Sequence, residues 1–290
     1  MATLNTVTSS TRPASPAAGE AYFETDTNKI IVWTGSEWTE IVSDNAPSFS
    51  NTYSVDLDGS NDSIDAASDP GLSVYTMSFW IKTSQSTFAF LVSGFGGGTG
   101  AGAYRNESGI RINTAAGRLL EYQDYNTGGS NRIMAGNLVS GDVNDGAWHH
   151  VAMVYVPSGY TTTTGTASGN GEGFKLFLDG TRVDTTLVGS FDLPTTVPEF
   201  KVGREGRRAL YFYNGLIDEV AIFGSSLSDS DITAIYNSGT PADLSSYSPT
   251  LWWRMGDDDS GTGTTITDQG SGGTNGTLTN GPTFSTTVPS

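Results

Sequence analysis

YTMSFWIKT at residues 75–83 and WHHVAMVYV at residues 148–156 are the stretches that most clearly decide the fold of this sequence. Both are short, rich in aromatic and aliphatic residues and flanked by turn-forming residues, which is typical of buried β-strands. At residues 53–58, apolar and polar residues alternate with the period of a strand that has one buried face. Further strand-like runs lie at 88–95, 109–114, 174–180, 200–203 and 216–224. Their spacing predicts an all-β, two-sheet antiparallel sandwich.

One short helix is expected within this β pattern. Ser228 and Asp231 have the spacing of a capping box, and an apolar stripe follows them. Gly239 stands where a helix C-cap is expected. The helix is predicted to cover an edge or an end of the sandwich. The stripe consists of Ile232, Ile235 and Tyr236.

Composition limits both the architecture and the partners. The chain has 290 residues with 36% hydrophobic residues, enough for one large core with a small appendage. The 14 Lys and Arg residues against 31 Asp and Glu give a net charge of -17, which disfavours nucleic acid and anionic membrane surfaces as partners. Cysteine is absent, which excludes disulfides and thiolate metal sites.

The chain is predicted to divide into three parts. Residues 1–20 are rich in Ser, Thr, Pro and Ala and are expected to form an extended arm. Residues 21–45 are expected to form a small β-hairpin unit with an aromatic cluster, too small to fold alone. Residues 50–286 form the sandwich. The N-terminus lacks the apolar stretch of a secretory signal peptide, and no segment is long enough to span a membrane.

Five stretches of the sandwich resemble the laminin G-like or concanavalin A-like lectin/glucanase superfamily. They are SVDLDGSNDSIDA (54–66), YTMSFWIKT (75–83), NDGAWHHVAMVY (144–155), FKLFLDGTRV (174–183) and YNGLIDEVAIFGSSLSDSDITAIYNSG (213–239). The tail, LWWRMGDDDSGTGTTITDQGSGGTNGTLTNG, resembles the segment that usually opens such a domain. Residues 249–286 are therefore expected to supply permuted strands to the same jelly roll.

The N-terminal segment RPASPAAGEAYFETDTNKIIVWTGSEWTEI is similar to short segments of bacteriophage structural proteins. The two resemblances together imply a virion surface protein, in a capsid or tail decoration or in a fibre. Its expected partners are other virion proteins, further copies of itself in a homo-oligomer such as a trimer, and a host-surface glycan. It would be made in the host cytoplasm, because it lacks an export signal.

The family resemblance also implies a calcium site, since laminin G-like and pentraxin-like relatives often bind Ca²⁺ through loops at one edge of the sandwich. Asp58, Asn61 and Asp62 offer oxygen donors of the right type, and Asp218 is expected to approach them across the sheet. The alternative is a turn in which these side chains bond to the local backbone.

No catalytic constellation is evident. Glucan-cleaving relatives carry alternating carboxylates on one strand, whereas Asp218 and Glu219 are adjacent and are expected to point to opposite faces. His149 and His150 should likewise diverge, which argues against a shared metal. Five tyrosines are candidates for stacking on sugar rings, and about half of them are expected to lie in the core or in an interface instead; the sequence does not identify the binding loop. These candidates are Tyr104, Tyr122, Tyr125, Tyr211 and Tyr213.

Three functions remain open at this point. The first is a non-enzymatic virion protein whose lectin-like sandwich makes assembly contacts and binds host glycans. The second is a bacterial surface carbohydrate-binding module, which would bind glycans without a particle. The third is an atypical glycan hydrolase, which would depend on Asp218 or Glu219.

Overall fold

The computed structural model describes residues 5–27, 29–40, 49–66, 72, 74–94, 108–113, 119–125, 131–136, 143–156, 174–188, 200–206 and 209–290. The chain forms two compact units, Met1–Phe49 and Ser50–Ser290. The prediction of an all-β fold with antiparallel sheets and one short helix is confirmed.

The first unit contains a four-stranded sheet. Its strands, in spatial order, are β1 (Asn5–Val7), β2 (Ala21–Glu24), β3 (Lys29–Trp33) and β4 (Trp38–Glu40). Strand β1 pairs parallel to β2 and therefore places part of the predicted extended arm within the sheet. The predicted aromatic cluster is confirmed, because the Trp38 ring lies 5.7 Å from that of Tyr22 and 5.4 Å from that of Trp33.

The second unit is a sandwich of two sheets. Within the described residues, the first sheet has nine strands in the spatial order β15, β11, β10, β9, β8, β16, β6, β20, β19. These strands are β6 (Ser63–Ala66), β8 (Ala89–Ser93), β9 (Ser108–Asn113), β10 (Leu119–Tyr125), β11 (Asn131–Gly136), β15 (Asp184–Val188), β16 (Lys201–Val202), β19 (Thr265–Ile266) and β20 (Gly276–Thr279).

The second sheet has eight described strands in the order β14, β13, β12, β7, β17, β5, β21, with β18 also paired to β17. They are β5 (Ser54–Asp58), β7 (Tyr75–Lys82), β12 (Trp148–Tyr155), β13 (Phe174–Leu178), β14 (Thr181–Arg182), β17 (Asn214–Phe223), β18 (Leu251–Trp253) and β21 (Thr283–Ser285).

The hydrophobic core lies between the two sheets and takes alternate residues from each. Phe79 of β7 and Val151 of β12 meet Leu91 of β8 and Ile110 of β9, and all four are fully buried. Removing such side chains from water is the main stabilising contribution to the fold.

The C-terminal segment contributes to both sheets. Strand β18 pairs with β17, β20 pairs with β6, and β21 pairs with β5, all antiparallel. Residues 249–286 therefore supply strands to the sandwich itself and do not form a separate appendage.

Helix α1 (Asp229–Tyr236) covers part of the outer face of the eight-stranded sheet, where Ile232 packs with Ala152 and Phe177. The capping box of Ser228 is confirmed. The predicted C-cap is wrong, because Asn237, and not Gly239, takes the left-handed conformation that ends the helix. In the part of the chain that is described, no helix has the length and hydrophobicity needed to cross a membrane.

Candidate functional site

Several loops meet at one end of the sandwich. Strand pairing aligns Asp58 with Asn214, and Lys82 with both Leu216 and Trp148. The ends of β5 and β7 and the starts of β12 and β17 therefore lie side by side. The described residues of the loops that meet at this end are 59–62, 83–88, 143–147, 203–206 and 209–213.

This end carries an exposed aromatic and apolar surface, the rim patch, made of Phe88, Leu210 and Tyr211. Leu210 and Tyr211 are each 44% exposed, which is unusual for large apolar side chains of the described sandwich. The Tyr211 ring packs edge-on against Phe88, with 4.7 Å between the ring centroids. Such pairs hold both rings in a defined orientation.

Two residues of the underlying sheet, Phe90 and Arg111, support the rim patch. The guanidinium carbon of Arg111 lies 4.5 Å from the centroid of the Phe88 ring, a cation–π contact. Phe88 also meets Phe90 edge-on at 5.7 Å. Phe90 and Arg111 are paired across β8 and β9 and are almost fully buried. The exposed rings therefore rest on a fixed base.

The backbone that presents Tyr211 is strained. Ala209 and Tyr211 have φ values of 48° and 55°, in the left-handed region that residues with a Cβ avoid. Two backbone hydrogen bonds hold this conformation: Phe90 donates to the carbonyl of Tyr211 at 3.0 Å, and Glu205 donates to that of Leu210 at 2.9 Å. Strain of this kind is concentrated at functional sites, where it fixes a side chain before a ligand arrives.

Gln85 connects the neighbouring loops to the patch. Its amide donates to the carbonyl of Phe212 at 3.0 Å, and its side-chain oxygen accepts from the backbone N–H of Asn214 at 2.8 Å. Asn144 donates to the backbone carbonyl of Gln85 at 2.9 Å. Polar amide groups therefore stand next to the apolar rings.

The five tyrosines proposed from the sequence have different outcomes. Tyr211 is exposed, whereas Tyr213 is fully buried and donates to the carbonyl of Leu216 at 3.1 Å, so it belongs to the part of this set that was expected in the core. Tyr213 directly precedes β17, and its backbone N–H donates to the carbonyl of Gly203 at 2.8 Å. Tyr104 and the side chains of Tyr122 and Tyr125 lie outside the described residues.

The candidate calcium ligands of the β5–β6 turn bond to the local backbone. Asp58 accepts hydrogen bonds from the N–H groups of Ser60 at 2.7 Å and Asn61 at 3.4 Å, which lower its pKa. Asp62 accepts from the N–H of Asp58 at 3.2 Å, while burial raises the pKa of Asp62. Asn61 is exposed. This arrangement matches the alternative of a turn closed by its own side chains.

Asp218 does not join this turn. The β5–β17 register pairs Asp58 with Asn214, and Asp218 lies four residues further along β17, which is about 13 Å at the rise of a strand. Its carboxylate instead accepts from Asn51 at 2.9 Å and from the Glu219 N–H at 2.8 Å. The four candidate ligands therefore have no common centre. Within the described residues, no group of three or more His, Asp or Glu side chains is arranged to hold a metal ion.

Asp218 and Glu219 point to the same face, contrary to the expectation from alternation. The register of β17 against β7 shifts between Asp218 and Ala221, and Glu219 has a φ of 47°. This β-bulge leaves Ile217 and Val220 in the core and turns both carboxyls outward. Side chains alternate between the two faces only in a regular strand, and the extra residue of a bulge interrupts that alternation.

These two carboxyls are nevertheless enclosed. Asp218 is fully buried and Glu219 is 2% exposed. Glu219 accepts from the Trp252 indole N–H at 2.5 Å and from Arg254 Nε at 3.3 Å. Burial raises the pKa of both groups; repulsion from Glu219 adds to the effect at Asp218, while Arg254 opposes it at Glu219. Their position offers no access for a sugar substrate.

The two histidines point to opposite faces of β12. His149 is held between Asp179 at 2.8 Å and Asp145 at 3.2 Å, and its bond to Asp179 raises its pKa. His150 is buried beside Ser78, 2.8 Å from its hydroxyl. The pair shares no ligand position.

Phe88 and Leu210 were missed by sequence reasoning. An available signal was the Leu–Tyr pair at 210–211, which follows a polar and glycine-rich stretch, GREGRR, at 203–208. Two adjacent large apolar residues between strands indicate either a buried loop or an exposed binding surface.

Comparisons with known proteins place the sandwich in a family. The sequence pattern of the concanavalin A-like lectin/glucanases superfamily matches residues 58–233. Adhesion G-protein coupled receptor V1 of Danio rerio is 25% identical over 189 residues, which cover 63% of this chain and 3% of the receptor. The chain thus corresponds to a small part of that relative.

A solved structure shares the architecture over most of the chain. A Bacteroides ovatus protein described as a candidate carbohydrate binder is 18% identical, with a TM-score of 0.54; the alignment covers 94% of this chain and 71% of that one. The CBM40 domain of a Ruminococcus gnavus IT-sialidase is also 18% identical, with a TM-score of 0.48, and the alignment covers 64% of this chain and 99% of that domain.

Proposed function

Because the chain belongs to the concanavalin A-like lectin/glucanases superfamily, we propose that its sandwich binds carbohydrate through the rim patch and catalyses no reaction. The observation that carries this proposal is the exposed Leu210–Tyr211 pair on a strained, hydrogen-bonded loop. The similarity in fold to a candidate carbohydrate binder of Bacteroides ovatus is consistent with it. Fold alone does not identify a ligand, so the proposal rests on the patch.

The chemistry of the patch suits a sugar ring. A pyranose has an apolar face of C–H groups and a rim of hydroxyls, which favours a flat aromatic ring beside hydrogen-bonding groups. Tyr211 offers the ring, and Gln85 stands in the adjoining loop. A ring fixed before binding loses little conformational freedom when the ligand arrives.

The enclosed acid pair supports a non-catalytic role. A glycosidase needs two carboxyl groups on either side of the scissile bond, in contact with the substrate. Asp218 and Glu219 are the closest candidates, and both are buried and hydrogen-bonded within the sandwich. We therefore expect no sugar release from any glycan that the protein binds.

A glycan array with the full chain tests the proposal, followed by calorimetry with the best ligand. Tyr211→Ala should weaken binding about tenfold, because a stacked ring contributes about 1 kcal/mol or more. Tyr247→Ala is the matched control, since Tyr247 packs on Phe223 at the opposite end of the sheet. Equal affinity of the wild type and Tyr211→Ala, with the fold intact, would contradict the proposal.

We also propose that the module acts on a virion surface, attached through residues 1–45 as a homo-oligomer. The support is the similarity of the N-terminal segment to phage structural proteins; the relatives described above include no virus protein. Antibodies to the chain should label particles in electron micrographs. Unlabelled particles, with glycan binding by an isolated monomer, would favour a bacterial surface module.

Calcium binding at the β5–β6 turn stays a prediction. The turn is closed by its own side chains, so an ion would have to displace hydrogen bonds to Asp58. A calcium titration followed by thermal unfolding tests this, with Asp58→Asn as the variant. A melting temperature that does not change with calcium would contradict calcium binding at this turn.

A further inference from the structure

Asparagine followed by glycine is the dipeptide most prone to deamidation. Glycine has no Cβ, so its backbone nitrogen reaches Cγ of the asparagine with little steric hindrance. The sequence has four such pairs, of which Asn170–Gly171 lies outside the described residues. In the other three pairs the asparagine is exposed. They are Asn214–Gly215, Asn275–Gly276 and Asn280–Gly281.

Two of these glycines are held inside the sheets. Gly215 lies in β17, paired with Leu57, and a Cβ there would approach the carbonyl oxygen of Lys82 to 2.4 Å. Gly276 is buried in β20 between β6 and β19, and a Cβ there would lie 2.8 Å from Ile64. Reaction at either pair requires opening of the strand, which lowers the rate.

The third pair lies in the turn between β20 and β21. Both Asn280 and Gly281 are exposed, and no heavy atom lies within 4 Å of the place where a Cβ of Gly281 would be. Their φ values of 69° and 115° belong to a tight turn outside the ladder. The Gly281 nitrogen therefore has space to move towards its neighbour.

We propose that Asn280 is a site of spontaneous deamidation in the folded protein, faster than Asn214 and Asn275. The backbone nitrogen of Gly281 loses its proton and bonds to Cγ of Asn280. The bond from Cγ to Nδ2 breaks, and ammonia leaves with that proton. Water then opens the resulting succinimide at either carbonyl carbon, which gives aspartate or isoaspartate, so that one water is consumed for each ammonia released.

The modification breaks a link between two turns. Asn280 Nδ2 donates a hydrogen bond of 2.8 Å to the backbone carbonyl of Asn61, which ties the β20–β21 turn to the β5–β6 turn. The product has no N–H donor there and places a carboxylate against the carbonyl oxygen, near the acidic turn of Asp58 and Asp62. The β5–β6 turn then keeps its internal bonds and the bond from Asn214 Nδ2 to the Asp58 carbonyl, but it loses its link to the β20–β21 turn.

Peptide mass spectrometry on the full-length protein, aged folded at slightly alkaline pH, tests the proposal. All three asparagine side chains make one hydrogen bond, but only at Asn214 and Asn275 is the following glycine also held in a paired strand. Asn280 should therefore convert at least fivefold faster than the other two, since each additional hydrogen bond that must open slows the reaction roughly fivefold. In urea the three sites should react at similar rates. Asn280→Gln should remove the early product, because the longer side chain closes a less favourable ring.

Two outcomes would overturn the inference: equal rates at the three sites in the folded protein, or a faster reaction at Asn214 or Asn275. The structural consequence has its own readout. Asn280→Asp should increase amide hydrogen exchange in residues 58–62 and leave exchange in β7 unchanged. Unchanged exchange in both regions would show that the link to Asn61 does not hold the turn.

Discussion

Acid sensitivity of the sandwich should depend on His150. Its ring is fully buried, with Nε2 2.8 Å from the Ser78 hydroxyl, and it packs at a tilt against the rings of Trp80 at 5.1 Å and Tyr236 at 6.0 Å. Among the described residues, Nδ1 has no hydrogen-bond partner. A second proton on this ring would be buried without an acceptor. Burial accordingly lowers the pKa of His150 to about 4, although Asp179 opposes the shift.

The size of this pH effect on the free energy of unfolding follows from the difference in proton binding between the folded and unfolded chain. Between pH 6.5 and about 4 the unfolded chain binds a proton at His150 that the folded chain does not. Unfolding is therefore favoured as the pH falls, by about 1.4 kcal/mol for each pH unit. The free energy of unfolding should lose about 3 kcal/mol over this interval from His150 alone, which is a large part of the stability of a typical domain.

Other groups act in the opposite direction. Burial raises the pKa of Asp218 and Glu219, so the folded state gains protons there as the pH falls and is stabilised. The pH profile of the wild type alone is therefore a sum of opposing effects. His150→Gln, which keeps a polar group near Ser78 and never carries a charge, isolates the histidine in the difference between two profiles.

Urea unfolding followed by tryptophan fluorescence, repeated between pH 7 and pH 4, measures this difference. His150→Gln should lose about 3 kcal/mol less than the wild type over the interval. His149→Gln is the control of opposite sign: the bond to Asp179 raises the His149 pKa, so this histidine stabilises the fold at low pH and loses the effect as pH rises. Parallel profiles for the wild type and His150→Gln would refute the reasoning.

Three substitutions test other features through the free energy of unfolding. Arg254→Met should cost about 3 kcal/mol or more, because it removes the cation from a buried Glu219. Ser228→Ala should cost about 1 kcal/mol through loss of the helix cap. Gly215→Ala should prevent or severely weaken folding, since its Cβ would meet the Lys82 carbonyl oxygen at 2.4 Å, and a normal melting transition would contradict the strand packing.

The sandwich could be predicted because its strands carry local signals. Apolar alternation in β5 and the long apolar runs of β7 and β12 reflect the two faces of each strand, and these patterns survive into the structure. The cap at Ser228 is equally local, since it depends on two side chains three residues apart. Features of this kind need no knowledge of tertiary contacts.

The site could not be predicted to the same degree, because it depends on tertiary contacts and backbone irregularities. Tyr211 and Tyr213 are two residues apart in one loop, yet one is exposed and the other buried, and the difference arises from left-handed turns without glycine. The outward turn of Glu219 comes from a bulge that no alternation pattern reveals. Likewise, the hydrogen bond that the Asp58 carboxylate accepts from the backbone N–H of Ser60 depends on the geometry of the turn.

The entry of the last strands into both sheets has a consequence for biosynthesis. During translation β5 and β6 are synthesised long before their partners β21 and β20, which lie near the other end of the sandwich sequence. Until then both strands have an unpaired edge that is able to pair with other chains. The sandwich therefore cannot close until residues 276–285 have been synthesised, and the free edges of β5 and β6 are the places where an incomplete chain is most exposed to aggregation.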